Sequence, residues 1–196
     1  MHPEPNFSVN RALRRRFAGG VLACMAGLCL PAGAGSLSTQ PLLERKVKAA
    51  FLYKFLGYAD FPPQAFADDR APLTIGVVGA DDLAAELARV TAGRIIGNRG
   101  IVVRQLREDD GTVPVHLLFV GARDPEQAGR IVRQASGAML VVTDCEDGLR
   151  QGSAINFRVV GERVRFDVAP EAAERNGIKL SSRLLTVANR VHRGGQ

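Results

Sequence analysis

The chain has 196 residues, 46% of them apolar and 23% charged, with 21 glycines and 10 prolines. That length holds one ordinary domain, and the proportions are those of a soluble globular protein, which excludes disordered, collagen-like and disulfide-scaffold classes. The net charge of +6 invites a nucleic-acid reading, but residues 1–34 carry four arginines and one glutamate; without them 22 basic and 19 acidic residues remain, a net +3.

Arg11, Arg14, Arg15 and Arg16 form a positive segment, fourteen uncharged residues follow at 17–30, Pro31 breaks the run, and Ala32-Gly33-Ala34 supplies small residues. This is the three-part pattern of a secretory signal. Fourteen helical residues rise only ~21 Å, short of a ~30 Å hydrocarbon core. The expectation is a signal peptide over 1–34, cleaved after Ala34, and a single exported, periplasmic domain over 35–196. Arg14-Arg15-Arg16-Phe17 also has twin-arginine spacing, and Val21-Leu22-Ala23-Cys24 loosely resembles a lipoprotein box. Cleavage removes Cys24 and Cys29 and leaves Cys145 alone, with no internal disulfide. A lone exported thiol is expected to be buried and inert, the alternative being pairing between chains.

The first predicted element after the leader is a helix over 42–58. Leu43, Val47, Phe51, Phe55 and Tyr58 recur at spacings of three and four and share one face, while Arg45, Lys46, Lys48 and Lys54 make a basic remainder. Pro62-Pro63 ends the helix and opens a linker-like stretch over 62–72. A strand follows at 73–79, then a helix to about residue 90 capped by Asp81, and a second strand at 101–106. Residues 115–121 are almost unbroken apolar sequence, as in a strand covered on both faces. A helix at 125–135 and a strand at 139–143 complete a strand–helix alternation, which predicts an α/β fold with a mostly parallel sheet flanked by helices. The pattern then changes to period two. Residues 154–160 and 163–168 flank Gly161-Glu162, which predicts a C-terminal β-hairpin with a type II′ turn toward the sheet edge. Ile155, Phe157, Val159, Val164, Phe166 and Val168 take one face, and Asn156, Arg158, Arg163, Arg165 and Asp167 the other. Two short terminal helices are predicted at 170–176, stopped by Gly177, and at 182–191, capped by Ser181.

Candidate chemistry is sparse. His116 lies in the most apolar strand and reads as a core histidine bonded to backbone; His192 lies in the polar tail and reads as solvated. One cysteine and two distant histidines do not make a zinc site. Gly76-Val77-Val78-Gly79 precedes a helix, but the dinucleotide fingerprint is absent, and Asp81 and Asp82 would repel a phosphate at that helix start. Lys179-Leu180-Ser181-Ser182 lacks a nucleophile elbow, and the acidic turn Asp144, Glu146, Asp147 lacks the calcium-loop pattern and reads as solvated. No catalytic residue, cofactor or metal is therefore expected. Two basic stripes remain, on the first helix and on the hairpin. With no Trp and two Tyr there is no base-stacking platform, so nucleic acid is not the expected partner; the stripes read first as solvated surface, with a protein-binding surface as the alternative.

Particular strings carry a resemblance. Val47-Lys48-Ala49-Ala50-Phe51-Leu52, continuing through Phe55 and Tyr58 to Phe61-Pro62, resembles the opening of the YfiR-like family of bacterial periplasmic regulators. The similarity continues through residues 73–79, His116-Leu117-Leu118-Phe119-Val120, Gly152, Ile155-Asn156-Phe157 and Arg163-Val164-Arg165-Phe166. It ends with Ala172-Ala173, Gly177 and Leu180-Ser181-Ser182-Arg183-Leu184-Leu185, so it spans about residues 46–190.

The resemblance implies a regulator and not an enzyme. It would bind the periplasmic sensor region of an inner-membrane diguanylate cyclase and hold it inactive, lowering cyclic di-GMP and restraining biofilm formation. The membrane is then approached only through that partner, and a homodimer is a further option. Phe61 stands where the family usually has Trp, and Ala169 where Asn is usual. Gly76 and Val115 stand where relatives often carry cysteines on neighbouring strands, so redox control by an internal disulfide is not expected. The expected docking surface joins the polar hairpin face to the last helices, with Arg158, Arg163, Arg165, Asp167 and Arg183 chosen by alternation and by proximity to the terminal motif, not by the resemblance. An alternative is a periplasmic small-molecule binding module using the carboxyl ends of the parallel strands near Gly79 and Gly121. A hydrolase is the remaining rival, and no nucleophile–base pair can be assembled for it.

Overall fold

A computed structural model describes residues 39–110, 113–121 and 124–194. The predicted leader over 1–34 lies outside the described residues. The chain opens with helix α1 (Thr39–Gly57), followed by a two-residue strand β1 (Ala59–Asp60), strand β2 (Leu73–Val78) and helix α2 (Asp81–Thr91). Strands β3 (Ile95–Ile96) and β4 (Arg99–Leu106) come next, then β5 (Leu117–Val120), helix α3 (Pro125–Gln134) and β6 (Leu140–Thr143). The hairpin β7 (Ile155–Val160) and β8 (Arg163–Val168) is followed by helix α4 (Pro170–Arg175), strand β9 (Lys179–Leu180), helix α5 (Ser182–Val187) and strand β10 (Arg190–Val191).

Eight strands form one mixed, mostly parallel sheet in the order β10-β8-β7-β6-β5-β2-β4-β3, and β1 pairs antiparallel with β9. The predicted fold class is the observed one. Alternation along the strands feeds two cores. Leu117 and Phe119 face a larger core built with α1, α2 and the terminal helices; Leu118 and Val120 face a smaller one under Ala128, Ile131 and Val132 of α3. Phe51, Phe55, Phe157 and Phe166 interlock in the larger core, the last contacting Phe55 edge-on with ring centroids 4.9 Å apart.

Several local expectations change. The face of α1 that packs on the sheet is Ala49, Leu52, Phe55 and Leu56, with Phe51 and Tyr58 packed beside it; the predicted row holds from Phe51 onward, but its first member, Leu43, is 57% exposed. The helix carries apolar residues on two adjoining rows, and periodicity alone does not say which row the sheet covers. Lys48, expected on the basic remainder, is buried. Ala80, not Asp81, occupies the N-cap of α2, with no side-chain cap. The hairpin turn is type I′: Gly161 and Glu162 both have positive φ, 54° and 60°. The last helix stops at Val187, because the Asn189 N–H donates to the Phe166 carbonyl (2.8 Å) and its side chain donates to Asp167 (2.7 Å), drawing the chain in as an edge strand.

The supposed linker over 62–72 is pinned. The Arg99 guanidinium donates to the Asp68 and Ala71 carbonyls and lies 3.7 Å from the Phe66 ring centroid. His116 is the core histidine expected: the Thr74 N–H donates to Nδ1 (3.0 Å), and Nε2 lies 3.1 Å from the Ala65 carbonyl. Burial holds its pKa below the usual histidine value, and the Arg99 charge acts in the same direction.

Candidate functional site

Two surfaces meet along α1. The first is a groove of about 500 Å³ between α1 and the tip of the hairpin. Leu43, Val47 and Phe51 form its helical wall, and Val159 and Val164 its strand wall. Arg163 and Arg165 stand on its rim beside Glu162. Val159 is 56% exposed and Val160 48%, so the outer half of the hairpin leaves apolar side chains in water. Single exposed valines are ordinary; an apolar furrow rimmed by arginines is the anatomy of a protein interface.

Of the residues singled out from the sequence, Arg163 and Arg165 line this groove, while Arg158 is exposed on β7 and lines a separate depression with Asp144, Cys145 and Asn156. Arg183 is exposed in the first turn of α5, where Ser181 caps the helix as expected, and does not line the groove. Asp167 is corrected: it is 4% exposed, accepts from Asn189, and has Arg158 at 3.9 Å and His192 at 3.8 Å. The inner half of the hairpin is covered on both faces, because Asn189 closes over Asp167 and the loop after β6 closes over Asn156. Asp167 anchors the terminal segment and is not available to a partner. Sequence reading placed Leu43 and Val47 in a core stripe; the structure leaves them lining the groove, where Phe51, packed on the core behind, completes the wall.

The second surface lies at the carboxyl ends of β2 and β5. From β2 the chain passes through α2 to β4 on one side; from β5 it passes through α3 to β6 on the other, so the winding reverses between them. A solvent-open cleft of about 600 Å³ lies at this reversal, near Gly79 and Gly121. Gly79 has φ 71°, and a Cβ on Gly121 would stand 2.9 Å from that of Ala80, so both loops need glycine to approach this closely. Lys48 projects from α1 to the cleft and is held by Glu44 and by Asp144, the latter at 2.5 Å. Burial alone would lower the Lys48 pKa, but the hydrogen bonds and charges of Asp144 and Glu44 outweigh it and raise it above the ordinary lysine value. Arg45 pairs with Asp82 at 3.2 Å.

Asp144 is therefore part of an ion-paired cluster, not a merely solvated turn. A buried polar network sets its position. Thr143 Oγ1 lies 2.8 Å from Ser153 Oγ and donates to Asn156 Oδ1 at 2.8 Å, and Asn156 Nδ2 donates to the Cys145 carbonyl at 3.0 Å. Cys145 is half-buried, less than expected; burial first, then the Asp144 charge, pushes its thiol pKa up, so little of it is thiolate. Among the described residues no cluster of three metal-ligating side chains occurs, and no helix is long and apolar enough to cross a membrane.

The fold is a doubly wound α/β domain with a mixed, mostly parallel sheet. The chain belongs to the YfiR/HmsC-like family, whose pattern matches residues 45–189. This is a family of periplasmic regulators, not of enzymes. A search of the curated proteins finds no match. Among solved structures the chain is similar to the crystal structure of a conserved domain protein from Vibrio cholerae O1 biovar El Tor str. N16961, with a TM-score of 0.51 and 12% identity. The likeness covers 76% of this chain and 60% of that one, and at this identity it speaks to the fold alone.

Proposed function

We propose that this protein is an exported negative regulator that docks on the periplasmic sensor region of an inner-membrane diguanylate cyclase and holds it inactive, lowering cyclic di-GMP and biofilm formation. Residues 1–34 serve as the cleaved leader and 35–196 as the regulatory domain. The observation that carries the docking site is the groove between α1 and the hairpin, an apolar furrow with Arg163 and Arg165 on its rim; Arg158 and Arg183 are exposed outside it. Its occupant is an apolar segment of the cyclase with flanking side chains of both signs, since Arg163 and Arg165 share the groove lining with Glu44 and Glu162. No bond is made or broken. The regulator binds the inactive conformation of the receptor better than the active one, and a ~100-fold preference, ~2.7 kcal/mol, shifts the population accordingly.

The test is binding of the purified protein to the isolated periplasmic region of the cyclase, with cellular cyclic di-GMP measured in parallel. Deletion of the gene raises cyclic di-GMP, and Arg163→Glu with Arg165→Glu weakens binding while leaving the thermal midpoint unchanged. Unchanged cyclic di-GMP in the deletion strain, or full-strength binding by the double variant, would count against the reading.

A further inference from the structure

The buried histidine is wired so that its charge state decides a contact. His116 lies just before β5, where its main-chain N–H donates to the Thr74 carbonyl (2.8 Å) and its carbonyl accepts from the Leu140 N–H (2.8 Å). The Thr74 N–H donates not to main chain but to Nδ1 of the His116 ring, at 3.0 Å. An amide N–H can only donate, so Nδ1 carries its lone pair and the ring hydrogen sits on Nε2, 3.1 Å from the Ala65 carbonyl, to which it donates. One neutral imidazole therefore joins β2 to the segment that follows β1. Phe66 stacks on that ring with centroids 4.6 Å apart, and Phe61 meets it edge-on at 5.5 Å. We propose that residues 62–66 are an acid-released flap: protonation of His116 unseats them and uncovers Phe61 and Phe66.

The hydrogen-bond pattern leaves a proton one place to go. It adds at Nδ1 and there faces the Thr74 N–H, donor against donor. Turning the ring over gives no relief, because both nitrogens of an imidazolium are donors. Thr74 is buried, so its N–H loses its acceptor without gaining solvent. Phe66 already carries one cation, the Arg99 guanidinium 3.7 Å from its centroid, and a charged ring beside it would be a second. Among the described residues, Arg99 of β4 is the charge that bears on the ring. Asp60, Asp68, Asp69, Arg70 and Lys179 flank the flap and are exposed, and β2, β5 and β6 bring no titratable side chain. Burial and the Arg99 charge both disfavour the imidazolium in the closed state. The seating is therefore complete above the ordinary histidine value of 6.5 and weakens as pH falls from there through the lower folded value. Arg99 keeps its hold on the Asp68 and Ala71 carbonyls, so the flap lifts while its far end stays tethered.

The inference does not depend on the identity of any receptor. Amide hydrogen exchange of the purified protein, corrected for intrinsic rates, tests it at neutral pH and at about pH 5.5. The expected result is that opening at Ala65, Phe66 and Thr74 grows severalfold in acid, with a ceiling of about tenfold set by the distance from 6.5, while the amides of β6 keep their protection. His116→Asn puts an amide oxygen, which does not titrate, in the place of Nδ1 and abolishes the acid step. If His116→Asn does not fold, the ring nitrogen resonances of the wild type decide: the Nε2–H tautomer at neutral pH, and protonation in step with the opening at Thr74. No growth of opening in acid, equal growth throughout β6, the same step in His116→Asn, or a charged ring with Thr74 still protected overturns the proposal.

Discussion

Lys48→Met removes a partly buried ion pair that joins α1 to the loop after β6. Methionine keeps most of the alkyl packing and removes the charge. Breaking a fully buried pair costs about 3–5 kcal/mol and an exposed pair about 0–1. Here the lysine side chain is 9% exposed, but Asp144 and Glu44 are 32% and 38% exposed and rehydrate when the ammonium is gone. The expected loss is therefore intermediate, about 2 kcal/mol, or about 6 °C in thermal midpoint for a domain of this size. The pH dependence has a definite sign. The folded Lys48 pKa lies above the ordinary value of 10.5, so its stabilisation is complete below that value and is lost as pH rises through the higher folded one. Urea unfolding followed by circular dichroism, run at neutral and at strongly alkaline pH, reads both effects. The gap between wild type and variant is open at neutral pH and closes in alkali. A variant as stable as wild type at neutral pH, or a gap unchanged in alkali, would refute the reasoning.

Three further expectations concern the hairpin, the polar network and the thiol. Glu162→Gly relieves a non-glycine residue at φ 60° in the type I′ turn and raises stability by about 0.5 kcal/mol, after allowing for glycine's larger unfolded-state entropy; denaturant melts check the direction. Gly148→Ala would place a Cβ 2.1 Å from Thr143 Oγ1 and 2.7 Å from Asn156 Oδ1, disrupting the network that sets Asp144, at a cost of about 3 kcal/mol by overpacking and lost hydrogen bonds. Its thermal midpoint and its yield of soluble protein report this. Cys145, with its pKa raised by burial and the Asp144 charge, alkylates with iodoacetamide more slowly than a free thiol at the same neutral pH, and Cys145→Ser leaves receptor binding unaltered in oxidant or reductant.

Much of this protein is legible in one dimension, because its elements are stated by local rules. Residues 115–121 read as a doubly covered strand because both faces of β5 are apolar, and the period-two runs around Gly161-Glu162 read as a hairpin whose pairing, Phe157 with Phe166, follows from alternation. Gly177, with φ 71°, and Ser181, whose hydroxyl accepts from the Arg183 N–H, end and start helices as their chemistry requires. Even the carboxyl-end location near Gly79 and Gly121 follows from strand–helix alternation. Tertiary structure alone decided how far along α1 the apolar row is covered, and so left Leu43 and Val47 lining a groove and made Lys48 a buried cation. It also brought Asp144, 96 positions away, to Lys48, and drew Asn189 over Asp167, turning an expected contact residue into an internal anchor. The physical reason is range: capping, turn and alternation energies act over a few residues, whereas burial of a given charge depends on what the folded chain places against it.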